Sequence, residues 1–66
     1  MTGADREGFG VEMAMLAEVF GEQVSPARLG IYFEDLMLYD WEHVRAGIRL
    51  ARASRKFFPK IADICE

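Results

Sequence analysis

The chain has 66 residues, a formal net charge of −3 at pH 7 and a hydrophobic content of 52%. That length holds one small domain with a thin stability margin. The single cysteine, Cys65, excludes an intrachain disulfide, and no apolar run reaches the ~18 residues of a membrane span. One thiol and no signal-type leader point to a reducing cytoplasm.

Residues 1–6 are polar, contain Gly3 and show no periodicity, so they are expected to fray. Residues 7–66 are expected to form the domain. Between Glu7 and Phe20 the residues Phe9, Met13, Leu16 and Phe20 recur at i, i+4, i+7 and i+11, with Ala17 beside them. That is one face of a helix, and Gly21 stands where a C-terminal cap belongs. Ser25-Pro26 then opens a second helix: the serine hydroxyl accepts a free backbone N–H, and proline at the first helical position loses no bond. This helix is expected to run to about Leu38, with Leu29, Tyr32, Phe33, Leu36 and Met37 facing inward.

Asp40 is the expected cap of a third helix, with Glu42 in its first turn. Trp41, Val44, Ile48 and Ala51 form its apolar face. Ala46, Leu50 and Ala53 form a second face of mostly small residues, and with Gly47 they predict packing on two sides. Pro59 stops this helix or starts another, and Lys60 to Cys65 suit a short fourth one with Ile61 and Ile64 inward. No period-two run and no Asn-Gly or Asp-Gly turn is present. The fold class expected is all-α, a small bundle of three main helices plus a short C-terminal helix.

Charge is divided unevenly. Through His43 there are nine acids against two bases; from Val44 onward there are six bases against two acids. Arg45, Arg49, Arg52 and Lys56 recur at i, i+4, i+7 and i+11, a cationic row on one edge of the third helix. Such a row is a solvated helix edge, a contact for nucleic-acid phosphates, or a complement to an acidic protein surface. A pI near 5.0 argues against strong nonspecific DNA affinity. A helix-turn-helix reading of the second and third helices meets a short Tyr39-Asp40 connection without the usual glycine. Phe57-Phe58 follows the row; one ring is expected to plug the core and the other to stand beside Lys56 and Lys60, where it could stack a nucleic-acid base or anchor a protein partner. The candidate partner-binding set is Arg45, Arg49, Arg52, Lys56, Phe58 and Lys60. The high apolar content leaves room for a homodimer.

Catalysis has little to build on. His43 is the single histidine, Ser25 is used as a cap, and Ser54 lies among basic residues. These make no nucleophile–base set, no zinc-type cluster and no glycine-rich phosphate loop. His43 reads as a surface or capping residue. The expectation is a noncatalytic chain without metal or cofactor.

Taken in order, Leu16 to Phe20, Ser25-Pro26, Tyr32, Leu36, Asp40-Trp41 with Val44 and Ile48, and Phe57-Phe58-Pro59 with Ala62-Asp63-Ile64 carry a resemblance. From about Leu16 onward the chain resembles the folded domain of phage replication-accessory proteins that load, or inhibit the loading of, the replicative helicase. The pattern of that family usually places serine or threonine after the proline; this chain has Lys60 there, so its last helix lacks the capping hydroxyl. The resemblance implies a protein-binding role in DNA replication, with a helicase or its loader as partner. Two other readings stand beside it: a small DNA-binding or regulatory module that uses the cationic row, and a structural dimerisation domain.

Overall fold

The computed structural model describes residues 1–54 and 56–65. Four α-helices follow one another: α1 (Arg6–Phe20), α2 (Pro26–Leu36), α3 (Trp41–Ser54) and α4 (Ile61–Cys65). The fold is all-α, with three main helices and a short fourth one, as the periodicity predicts.

Local signals set most of the boundaries. Gly21 adopts φ 65° at the end of α1; the Glu22 N–H donates to the Ala17 carbonyl at 2.9 Å and the Gly21 N–H to the Glu18 carbonyl at 3.3 Å. This pair of bonds satisfies carbonyls that the helix leaves open. Ser25 Oγ accepts the Arg28 N–H at 3.1 Å, with Pro26 at the first position of α2. α4 starts differently. In place of the missing hydroxyl at position 60, the Asp63 carboxylate reaches back and accepts the Lys60 N–H at 3.0 Å. That is the acidic half of a capping box, working without its serine.

Residues 1–6, where fraying is expected, carry local structure: Gly3–Asp5 form a 3-10 turn, Asp5 accepts the Thr2 N–H at 2.9 Å, and α1 begins at Arg6. The Met1 ammonium donates to the Met37 carbonyl at 2.7 Å and to the Tyr39 carbonyl. α2 ends at Leu36, before Leu38. The chain tightens there through i to i+3 bonds, Met37 N–H to Glu34 and Tyr39 N–H to Leu36. Leu38, 95% exposed, has no core to bury into that would reward another helical turn.

The core gathers Phe9, Met13 and Leu16 from α1, Tyr32, Phe33 and Leu36 from α2, Val44 and Ile48 from α3, and Ile64 from α4. Burying each of the large side chains contributes about 1.5–3 kcal/mol. Phe9 sits edge-on to Phe33 with ring centroids 5.4 Å apart. The Tyr32 hydroxyl donates to the Pro59 carbonyl at 2.9 Å and ties α2 to the buried proline that precedes α4. α3 lies between α1 and α4.

The two-sided packing predicted for α3 does not occur. Ala46, Leu50 and Ala53 are exposed, Leu50 at 66%. Gly47 alone from that group meets a neighbour. A Cβ there would lie 1.9 Å from the Ile64 carbonyl oxygen, so α4 sits directly on the α3 backbone. Ala46, Leu50 and Ala53 point away from that contact, and a five-residue α4 is too short to cover a second sector.

Candidate protein interface

The cationic row of α3 divides into a paired half and an open half. Arg45 donates to Glu42 at 2.7 Å, an i, i+3 pair at the surface. Arg49 crosses to α1, where its Nε and a terminal nitrogen donate to the two Glu12 oxygens at 3.2 and 3.1 Å. This fork-to-fork contact is the strong form of the arginine–carboxylate pair. Glu12 is 6% exposed, a depth at which a carboxylate needs a partner, and it stays charged because the Arg49 hydrogen bonds hold its carboxyl below the usual glutamate range. Burial pushes the other way, and attraction from Arg49, Arg52 and Arg45 adds to the lowering. Arg49 is therefore a clamp between α1 and α3 in addition to being part of a surface row.

Sequence reasoning treated Arg49 as a partner-binding residue and missed Glu12. A signal was present. Glu12 lies three residues after Phe9 and four before Leu16, inside the inward sector of α1, where a charge needs a partner.

Past Arg49 the row opens. Arg52 lines a shallow groove together with Ala14, Met15, Glu18 and Val19 of α1. Lys56 and Lys60 are exposed. The aromatic pair between them is resolved in the opposite sense to the expected site set. Phe58 is half-buried, edge-on to Phe20 at 6.2 Å and tilted against Tyr32 at 6.4 Å. The Arg28 guanidinium covers its ring at 4.6 Å, and Arg28 is itself held by Glu22 at 3.1 Å. Phe57, 79% exposed, is the ring that faces solvent. The ring left in solvent is Phe57 and not Phe58, because Pro59 and the Tyr32 bond turn the chain so that only the second ring meets the core.

His43 lies at the other end of α3. Its Nε2 meets the Cys65 carbonyl at 2.8 Å and its ring stacks on Tyr39 with centroids 5.7 Å apart. The imidazole thus closes the last turn of α4, a capping role. Among the described residues no group of three or more His, Cys, Asp or Glu side chains could hold a metal ion, and no helix is long and apolar enough to cross a membrane.

The surface that results is a small helical scaffold with a short cationic edge, the exposed Phe57 ring beside it and an apolar groove. Comparison with protein-family models, with curated proteins and with solved structures returns no match.

Proposed function

We propose that this chain is a noncatalytic, protein-binding module of phage-type DNA replication, acting in the cytoplasm on a replicative helicase or its loader. The observation that supports the reading is Phe57: a phenylalanine 79% exposed between Lys56 and Lys60. Aromatic residues, phenylalanine among them, are enriched at the cores of protein interfaces, and the lysines at the rim supply complementarity to an acidic partner. The resemblance of Phe57-Phe58-Pro59 and Ala62-Asp63-Ile64 to the helicase-loading family names the partner class.

The pairing of Arg45 and Arg49 with carboxylates weighs against the phosphate reading, since among the described residues it leaves Arg52, Lys56 and Lys60 as the cations with open surroundings on this edge. Three phosphate contacts give a salt slope no steeper than about −3.

The test is calorimetric titration of a purified replicative helicase, and separately of its loader, with the wild-type chain and with Phe57→Ala. The expected result is binding that weakens roughly 30-fold or more in the variant, the scale of a hot-spot residue, while helix content and melting stay unchanged. Equal binding by both proteins removes Phe57 as anchor. Absence of binding to either partner, together with a steep salt-dependent affinity for DNA, moves the function to nucleic acid.

A further inference from the structure

α2 carries both apolar surface and charge on the side that the core does not use. Leu29, Tyr32, Phe33 and Leu36 turn inward. On the opposite side stands Ile31, 56% exposed. Met37 keeps helical dihedrals, φ −62° and ψ −27°. Leu38, two turns after Ile31 and 95% exposed, therefore continues the same line. Glu34 and Asp35 are exposed on either side of that line. Among the described residues neither of them enters an ion pair. Arg28 is turned away to Glu22 and the Phe58 ring, and the Met1 ammonium is held by the Met37 and Tyr39 carbonyls. The outer face thus presents two aliphatic side chains, about 10 Å apart along the helix, with two unpaired carboxylates beside them.

We infer that this outer face of α2 receives the cationic edge of a second copy of the chain, Phe57 with Lys56 and Lys60. The inference rests on the reading of that edge as a protein-binding surface, and it adds a form of regulation. A copy seated on the edge covers Phe57, so association of the chain with itself and capture of another partner exclude each other.

Charge complementarity carries the choice of occupant. The face of α2 is apolar with two carboxylates; the edge is an exposed ring, 79% open to solvent, with an exposed lysine on each side of it in sequence. With the partner's Phe57 against Ile31 and Leu38, carboxylates meet ammonium groups. One carboxylate of the edge itself, Asp63, stands on the Lys60 N–H, so Lys56 is the stronger of the two cationic contacts. Glu34 and Asp35 repel the phosphates of nucleic acid and of an anionic membrane, which argues against those as occupants of this face.

Face and edge are different parts of one chain. Every copy offers both, and copies join face to edge. Ion pairs at the rim of so small an apolar contact are weak and screened by salt, so the association belongs to high concentration and low ionic strength.

Sedimentation equilibrium of this chain alone, from micromolar to millimolar concentration, tests the inference. At low salt the wild-type mass is expected to rise above that of the monomer, and at high salt to fall back. Glu34→Lys with Asp35→Lys gives a chain with two cationic surfaces, which should stay monomeric. Lys56→Glu with Lys60→Glu gives two anionic surfaces and should do the same. An equimolar mixture of the two should associate again, because each reversed surface then meets its opposite. Leu38→Ser should weaken wild-type association roughly tenfold or more, an effect that attraction between net charges alone does not produce. Circular dichroism checks that each variant keeps its helices; if a double variant loses them, Asp35→Lys and Lys56→Glu provide the same exchange. A wild-type chain that stays monomeric throughout overturns the inference and leaves the helicase titration untouched, since no second copy enters that experiment. Association that either double variant retains, that Leu38→Ser leaves unchanged, or that the mixture of folded variants fails to restore overturns it as well.

Discussion

The two halves of the cationic row on α3 look alike as sequence and behave differently as structure. Arg45 and Arg49 have found carboxylates, and through Glu12 the second of them joins two helices; Arg52 and Lys56 border open surface next to an exposed phenylalanine. The same helical spacing thus ends in ion pairs at one end and in open surface at the other. What separates them is the neighbour across the helix pair: α1 offers an inward carboxylate opposite Arg49, and Ala14, Met15, Val19 and an outward Glu18 near Arg52. A row of like residues on one helix is therefore not one functional unit until its surroundings are known.

The comparison can be broken most forcefully at the backbone contact under the paired half. Gly47→Val puts side-chain atoms where the Ile64 carbonyl stands; α4 must move or detach, with an expected loss of about 3 kcal/mol or more. For a domain of this size that is a large share of total stability, and thermal denaturation should show it directly. An unchanged melting point would mean that α4 contributes little to the fold.

The two phenylalanines come next. Phe58→Ala removes a ring packed on Phe20 and Tyr32 and under Arg28, and should cost about 2 kcal/mol, less than a fully buried phenylalanine. Phe57→Ala should change stability by less than about 0.5 kcal/mol. Equal melting shifts for the two would contradict the division between them.

The ion pairs separate in order of burial. Arg49→Ala leaves the Glu12 carboxylate buried without its donor, so a melting-point drop of several degrees is expected. Arg45→Ala disturbs only a surface pair and should barely register. Replacing both members, Glu12→Leu with Arg49→Met, should recover most of the loss, because an apolar pair has no uncompensated charge. A double variant no better than Arg49→Ala would show that the pair is needed for more than neutralising Glu12.

The smallest effect is the dependence on pH. The carboxyl of Glu12 titrates lower in the fold than in the unfolded chain, whose reference value is 4.5. Its contribution is therefore complete above that value and is lost as pH falls through the lowered folded value. Urea titrations of the wild type should lose stability below about pH 4.5, and Glu12→Gln should flatten that limb. A parallel decline in both proteins would assign acid sensitivity to other carboxylates.

Much of the fold could be read from residues that act on their immediate neighbours. Gly21, Ser25-Pro26 and the apolar spacing of Phe9, Met13, Leu16, Val44, Ile48 and Ile64 fix where helices start, stop and turn inward. Each rests on hydrogen bonds or periodicities spanning at most a few residues. The end of α2, misplaced by two residues, depended on the turn into α3 and on the amino group of Met1, which arrives from 36 residues away. The candidate surface was half readable: the cationic row was apparent, but its division was not.

The sequence by itself determined an all-α chain with its caps, its core faces and one charged edge, because backbone geometry and side-chain periodicity are local. Only the tertiary structure decided that Arg49 belongs to Glu12, at a separation of 37 residues, that Phe58 turns in while Phe57 turns out, and that the second face of α1 stays uncovered. Those outcomes depend on which helices meet and at what depth. Burial then acts on groups that are equivalent in sequence, making one charge need its partner while leaving another to water.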